Sequence, residues 1–233
     1  MIHEPDCFIA NVVPPWIMRS PFDCWDKLLP LGRPERWKRK ALLYAYGDPA
    51  DDLVLIRSGL VKIMASSVKG VQRSIGVLGS GSILGEAAFF YTGAYRHDIC
   101  CVTECEGVLF SKSIVREHIF VKHPDLALYI LQNLAAKSYM MSTQLECAAF
   151  MSGRQRLAHF LYHLAQEQEK NSWVYDLLST LPQTTIAEIL GMHRVTVTKI
   201  INELKREGIL TINKRVRVEK GDLLLEMLQA CEG

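Results

Sequence analysis

Two groups of residues in this 233-residue chain have the types and spacing to do chemistry. The first runs from Gly85-Glu86-Ala87 through Tyr91 and Tyr95 to Arg96-His97, with Cys100, Cys101 and Cys105 just beyond. A carboxylate and a guanidinium about ten residues apart can hold a small anion, or can close on each other as a plain ion pair. His97 beside three cysteines invites a metal or a thiol nucleophile. The spacing is not that of zinc ligands, however, and Cys100 and Cys101, adjacent on a strand, face opposite ways. Neither His97 with Cys101 or Cys105 nor Glu86 with Arg96 is accompanied by a paired base and orienting carboxylate, so the chain is not expected to be an enzyme and no cofactor is expected. The second group is basic: Arg194, Lys199, Lys205, Arg206, Lys214, Arg215 and Arg217 against Glu203 and Glu207 give residues 193–217 a local charge of +5, while the whole chain carries only +2. Charge so localised suits a polyanion.

These residues need a scaffold, and composition bounds it. With 49% hydrophobic and 22% charged residues the chain has the makings of one large or two modest globular domains. No apolar run approaches the roughly 20 residues that cross a bilayer, and the first ten residues have neither a basic nor an apolar leader region, so a cytoplasmic protein without membrane contact is expected. Seven cysteines, an odd number without framework spacing, argue against a secreted disulfide scaffold. Whether Cys7 or Cys24 pairs with Cys231 as a redox switch is not decided by spacing.

Residues 1–40 read as an irregular arm with one short helix. From Ala41 to about Phe110, short apolar runs are punctuated every ten or so residues by Gly47-Asp48-Pro49, Ser58-Gly59, Lys69-Gly70 and Gly79-Ser80-Gly81, the pattern of a small antiparallel barrel or sandwich. From Asp125 to Phe150 there is no Gly or Pro, and Leu131, Leu134, Ser138, Met141, Leu145 and Ala148 repeat at heptad spacing. Such a narrow seam fits either a helix laid on its own β-domain or, preferably, a helix that pairs with its copy in a homodimer.

A break at 150–153 precedes a helix signalled by the capping box Ser152/Gln155 and the stripe Leu157, Phe160, Leu161 and Leu164. Further on, Thr185 and Glu188 look like a second capping box, Gly191 can take the positive φ of a helix end, and Val197, Ile200, Ile201 and Leu204 form a 3.6-residue stripe from about His193. Two helices about a Gly turn make a helix-turn-helix whose second member carries Arg194, Thr198, Lys199, Asn202 and Lys205 outward. A hairpin around Asn213-Lys214 then forms a basic wing with Lys214, Arg215 and Arg217.

The fold class expected is α+β: an N-terminal arm and β-roll (1–123), a long dimerisation helix (124–150) and a C-terminal winged helix-turn-helix (151–233). This order, with "GDPADDLVLIRSGLVKI", "GSGSILGEAAFFYTGAYRHD", "GRQRLAHFLYHLA" and "LPQTTIAEILGMHRVTVTKIINELKREGIL", resembles the CRP/FNR family of bacterial transcription regulators over roughly residues 41–220. The resemblance implies a homodimer that binds double-stranded DNA, answers to a small-molecule effector and works with RNA polymerase.

In cyclic-nucleotide-binding members a Gly-Glu pair and an Arg-Ser pair hold the ligand, and a Thr-Ser pair on the long helix reaches the purine. Gly85-Glu86 and Arg96 match, but His97 replaces the serine, and Met141-Ser142 stand at the Thr-Ser positions. An anionic effector then draws on Arg96 or Lys137, with Tyr91 and Tyr95 at hand for an aromatic ring. In the DNA-reading part, Thr184, His193, Arg194, Val195, Thr196, Thr198, Lys199, Asn202, Lys214 and Arg215 are the expected contacts. Val195 stands where a glutamate is usual and Pro182 where a threonine or serine often begins the first helix. The stretch around Val195 is similar to that of halorespiration regulators, whose effectors are chlorinated aromatic acids.

Overall fold

The computed structural model describes residues 17–18, 23–68, 72–170 and 173–229. Cys7 and Cys231, and the expectations for residues 1–16, lie outside them.

The chain divides into two compact units, Ile17–Met141 and a second made chiefly of Ser142 onward, with the partition falling inside the long helix. In the first, β1 (Ile17–Met18), β3 (Leu42–Tyr44), β5 (Val61–Ser66), β6 (Gln72–Leu78) and β8 (Asp98–Cys101) form a sheet ordered β1-β6-β5-β8-β3. A four-stranded sheet, β2-β9-β4-β7, is built from β2 (Arg33–Trp37), β4 (Asp52–Ser58), β7 (Ile83–Leu84) and β9 (Cys105–Ser111). Strand β4 shows why its residues make a strand. Val54 and Ile56 point into the core shared with Val61, Leu78 and Ile99 of the other sheet, while Leu53 and Leu55 point the other way, into a second core with Trp25, Phe110, Ile119 and Leu126. Apolar residues on both faces of one strand bury a central β-segment.

The arm is more regular than its sequence suggests. In its described part it has two single 3-10 turns, Asp23–Trp25 and Leu29–Leu31, and Arg33–Trp37 joins the roll by pairing with β9. The turns form because Trp25 and Leu28 drive themselves into the second core, Trp25 lying edge-on to Tyr129 at 5.9 Å. A short helix α1 (Lys112–Ile114) runs on through π-helical turns (Val115–Phe120) to the long helix α2 (Pro124–Phe150). Gly76 on β6 lets α2 approach, since a Cβ there would sit 2.8 Å from the Met140 methyl.

The second unit holds the end of α2, then α3 (Gly153–Glu169), α4 (Trp173–Leu178), α5 (Gln183–Leu190), α6 (Arg194–Arg206), the hairpin β10 (Leu210–Ile212) and β11 (Val216–Val218), and α7 (Gly221–Gln229). Ser152 and Gln155 make the reciprocal cap that their spacing predicts for α3. Thr185 and Glu188 do not: α5 starts three residues earlier, after Pro182, with no side-chain cap. Pro182 fixes the extended φ/ψ of a residue preceding the first turn, which puts Thr185 and Glu188 inside the helix.

Candidate effector cavity and DNA-reading surface

Within the first unit a cavity of about 410 Å³ lies between the roll and α2. Of the residues singled out in the sequence, Gly85, Glu86, Ala87, Tyr91, Tyr95, Arg96, His97, Lys137 and Met141 all line it; Ser142 does not. Ile63, Ile75, Leu84, Ile99 and Leu134 make most of the remaining wall apolar.

The charges inside the cavity are arranged differently from the simple pairing of Glu86 with Arg96. Glu86 and Lys137 are both buried, and the Lys137 ammonium donates to a Glu86 carboxylate oxygen and to the Ile83 carbonyl. A buried carboxylate needs a partner, and Lys137, on the helix facing it, reaches it first. One turn and two turns back along α2, Asn133 accepts from the Ile83 amide at 3.0 Å and donates to the Gly81 carbonyl at 3.3 Å, and the Tyr129 hydroxyl donates to Gly81 at 2.5 Å. Sequence reading missed Tyr129 and Asn133; their i, i+4, i+8 spacing with Lys137 is the only signal that could have found them.

Arg96, by contrast, is exposed and has no ion pair or hydrogen bond among the described residues. Beside it, burial and the Arg96 charge hold the His97 pKa below its usual value, so the ring is neutral near pH 7. Tyr95 stacks on Tyr44 at 4.1 Å. Its hydroxyl is buried against Gly85, with no hydrogen-bond partner of good geometry, and burial raises its pKa so that it stays a donor. Gly85, at φ +89°, is the only residue type that spares this hydroxyl. No group of three or more His, Cys, Asp or Glu placed to hold a metal occurs among the described residues.

The second unit carries the basic surface. Gly191 ends α5 at φ +61° and His193 is the residue before α6, whose Val197, Ile200, Ile201 and Leu204 are buried. His193, Arg194, Val195, Thr196, Lys199 and Asn202 are exposed, Val195 by 80%. Thr198 is half-buried and donates at 2.7 Å to Gln183 of α5, so its hydroxyl is engaged within the motif. Thr184 is exposed one residue further along α5. In the wing, Lys214 is exposed and unpaired among the described residues, whereas Arg215 is held by Asp176 of α4. Arg154, at the start of α3, grips the far end of α6 through Glu203 at 3.0 Å and Glu207 at 2.8 Å, and Arg156 caps α5 through the Leu190 carbonyl at 3.0 Å. The first turn after the break at 150–153 therefore holds both helices of the motif.

Residues 34–120 match the cyclic nucleotide-binding domain family, and residues 155–227 match the Crp-like helix-turn-helix domain. The chain belongs to the CRP/FNR family. It is 26% identical over 177 residues to a CRP-like cAMP-activated global transcriptional regulator of Mycobacterium tuberculosis, covering 76% of this chain and 79% of that one. Two solved structures share its fold. The c-di-GMP responsive global regulator CLP of Xanthomonas campestris has a TM-score of 0.70 at 21% identity, over 83% of this chain and 96% of that one. CprK complexed with OCPA has a TM-score of 0.70 at 20% identity, over 94% and 99%. This member of the CRP/FNR family is thus a transcriptional regulator with a cyclic-nucleotide-binding-type domain and a DNA-binding helix-turn-helix. Among the described residues no helix is long and apolar enough to cross a membrane.

Proposed function

We propose that this regulator works in the cytoplasm as an effector-gated homodimer on inverted-repeat promoter sites, together with RNA polymerase. One observation carries the reading: Leu134, Ser138 and Met141 line the cavity and also belong to the exposed seam of α2. A ligand in the cavity therefore touches the surface on which a second copy would pack, and its different affinity for two arrangements of that seam is what shifts DNA binding. The break at Met151–Gly153 passes the change to α3 and, through Arg154 and Arg156, to the motif. Two recognition helices about 34 Å apart then enter successive major grooves.

The effector is a small anion: an organic or halogenated aromatic acid, or a cyclic nucleotide. The unpaired Arg96 takes its charge, and the Tyr95 hydroxyl offers a hydrogen bond. Glu86, already satisfied by Lys137, is poorly placed to accept from a ribose hydroxyl, which favours the acid over the nucleotide. On the DNA, Arg194 and Lys199 contact bases or phosphates, and Val195 meets a thymine methyl where a glutamate would accept from cytosine, giving an A·T-leaning half-site. The test is a thermal-shift screen of cyclic nucleotides against halogenated aromatic and other organic acids. A stabilising ligand whose shift disappears in Arg96→Ala supports the reading. A protein unmoved by every candidate is a DNA binder that needs no effector, its cavity closed by the Glu86–Lys137 pair.

A further inference from the structure

We infer that the effector taken by the cavity is an aliphatic monocarboxylate with an oxygen on its chain, a hydroxy or oxo fatty acid rather than an aromatic acid or a nucleotide. Such a ligand presupposes the effector-gated reading proposed above, and it uses only a cavity whose whole lining belongs to the first compact unit.

The wall selects the body of the ligand. Ile63, Ile75, Leu84, Ile99, Leu134 and Met141 meet the cavity with aliphatic side chains. A planar ring is held best where another ring can lie against it. Of the two tyrosines in the lining, Tyr95 has given a face to Tyr44 at 4.1 Å, and Tyr91 is 90% exposed. A nucleotide fares worse, since its base and ribose bury polar atoms against aliphatic carbon while Glu86 and Lys137 already satisfy each other. An alkyl chain has no polar atoms to desolvate and can follow an irregular wall, each buried methylene adding to affinity.

The polar groups select its oxygens. Arg96 is exposed and has no ion pair or hydrogen bond among the described residues, so it can meet a carboxylate at the rim, whereas Lys137 is spent on Glu86. Tyr95 is buried, and its hydroxyl has no hydrogen-bond partner, which is costly until an acceptor reaches it. One of these groups stands in solvent and the other in the interior, so they call for different oxygens. A hydroxyl or oxo group part-way along the chain supplies the second acceptor, which a plain alkyl chain lacks.

Isothermal titration of the full-length protein tests this with saturated acids from butanoate to dodecanoate, their counterparts hydroxylated at successive chain positions, aromatic acids of equal carbon number, and cyclic AMP. Affinity is expected to rise about fourfold per methylene until the cavity is full, and hydroxylation at one position to add about twofold to tenfold. Arg96→Ala weakens every acid alike. Ile75 is half-buried and outside the packed core, so Ile75→Phe keeps the fold and stops the rise at a shorter chain, with butanoate unaffected. Tyr95→Phe removes an unpaired hydroxyl and so folds at least as well as the parent; it abolishes the advantage of the hydroxylated acid and spares the plain one. Affinity flat along the chain, aromatic acids or cyclic AMP bound tighter than the aliphatic acids, or a hydroxyl advantage that is absent or survives in Tyr95→Phe each overturns the inference while an effector-gated regulator stands. Binding of neither acids nor nucleotide removes the effector-gated reading as well.

Discussion

Arg194, Lys199 and Lys214 stand in solvent without partners among the described residues, whereas Glu86 and Lys137, in the effector cavity, are buried and spend their charges on each other. The two regions need opposite things from ionised side chains. A DNA reader leaves its cations unneutralised, because the phosphates supply the counter-charge and their displaced counterions supply much of the affinity. A ligand cavity inside a β-roll cannot hold an uncompensated charge, so it must neutralise its own groups and leave at most one, here Arg96, at the rim. Charge therefore does folding work in one region and binding work in the other, and substitutions should separate the two.

The largest effect is expected at the buried pair. Lys137→Met leaves the Glu86 carboxylate buried and unpaired, and should lower unfolding stability by about 3–5 kcal/mol in a urea titration. Lys137→Met/Glu86→Leu should recover most of that loss, since a buried pair replaced by apolar groups is often neutral. Arg194→Ala should do the reverse, with stability within about 0.5 kcal/mol of the parent and DNA affinity lower by about 1–3 kcal/mol. If Lys137→Met is as stable as the parent, the cavity does not depend on its internal pair and the contrast collapses.

A second buried polar group lies in the DNA-binding unit, away from the reading surface. His159 and His163 on α3 are 3.1 Å apart at their Nε2 atoms, and Cys147 lies 3.8 Å from His159 Nδ1. Burial pushes the two histidines down to about 3 and about 4, and lifts the Cys147 thiol up to about 11. Both rings are neutral in the folded protein, while in the unfolded chain they titrate near pH 6.5. Stability is thus complete above about pH 6.5 and falls as pH drops below it, until the folded-state values near 4 and 3 are reached. Near pH 5 two protons distinguish the states, so unfolding free energy should fall by about 2.7 kcal/mol per pH unit from this source, and His159→Phe should roughly halve the slope. An unchanged slope in that variant shows that the pair takes up protons while folded.

The same division explains what was legible in the sequence. The helix-turn-helix was readable because its determinants are local: the stripe from Val197 to Leu204, Gly191 at a positive φ, and exposed cations between them. The Thr185/Glu188 box misplaced a helix start because that pattern also occurs inside helices, and only the extended backbone at Pro182 distinguishes the two. In the roll, motif spacing gathered Gly85 to His97 around one cavity. It could not say that Glu86 would choose Lys137, 51 residues away, over Arg96, ten away. That choice depends on how α2 crosses the roll, which Gly76 and the 3-10 turns carrying Trp25 and Leu28 govern from outside the motif. Helix α7 was missed because Leu224 and Leu228 alone make too short a stripe.

The smallest effect tests the contrast within the DNA-binding unit itself. Lys214 and Arg215 are neighbours at the wing tip, and sequence reading treats them alike, but Arg215 is held by Asp176 while Lys214 has no partner among the described residues. Both members of the Arg215–Asp176 pair are about half exposed, so the pair contributes under about 1 kcal/mol to stability. An arginine whose charge is already shared with a carboxylate releases fewer counterions from DNA than a free lysine. Lys214→Ala should therefore flatten the salt dependence of DNA binding by about one unit per protomer at unchanged stability. Arg215→Ala should flatten it less and lower unfolding stability slightly. Equal slope changes for the two would show that DNA pulls Arg215 away from Asp176, so that a half-exposed ion pair yields to phosphate where the buried one in the cavity does not.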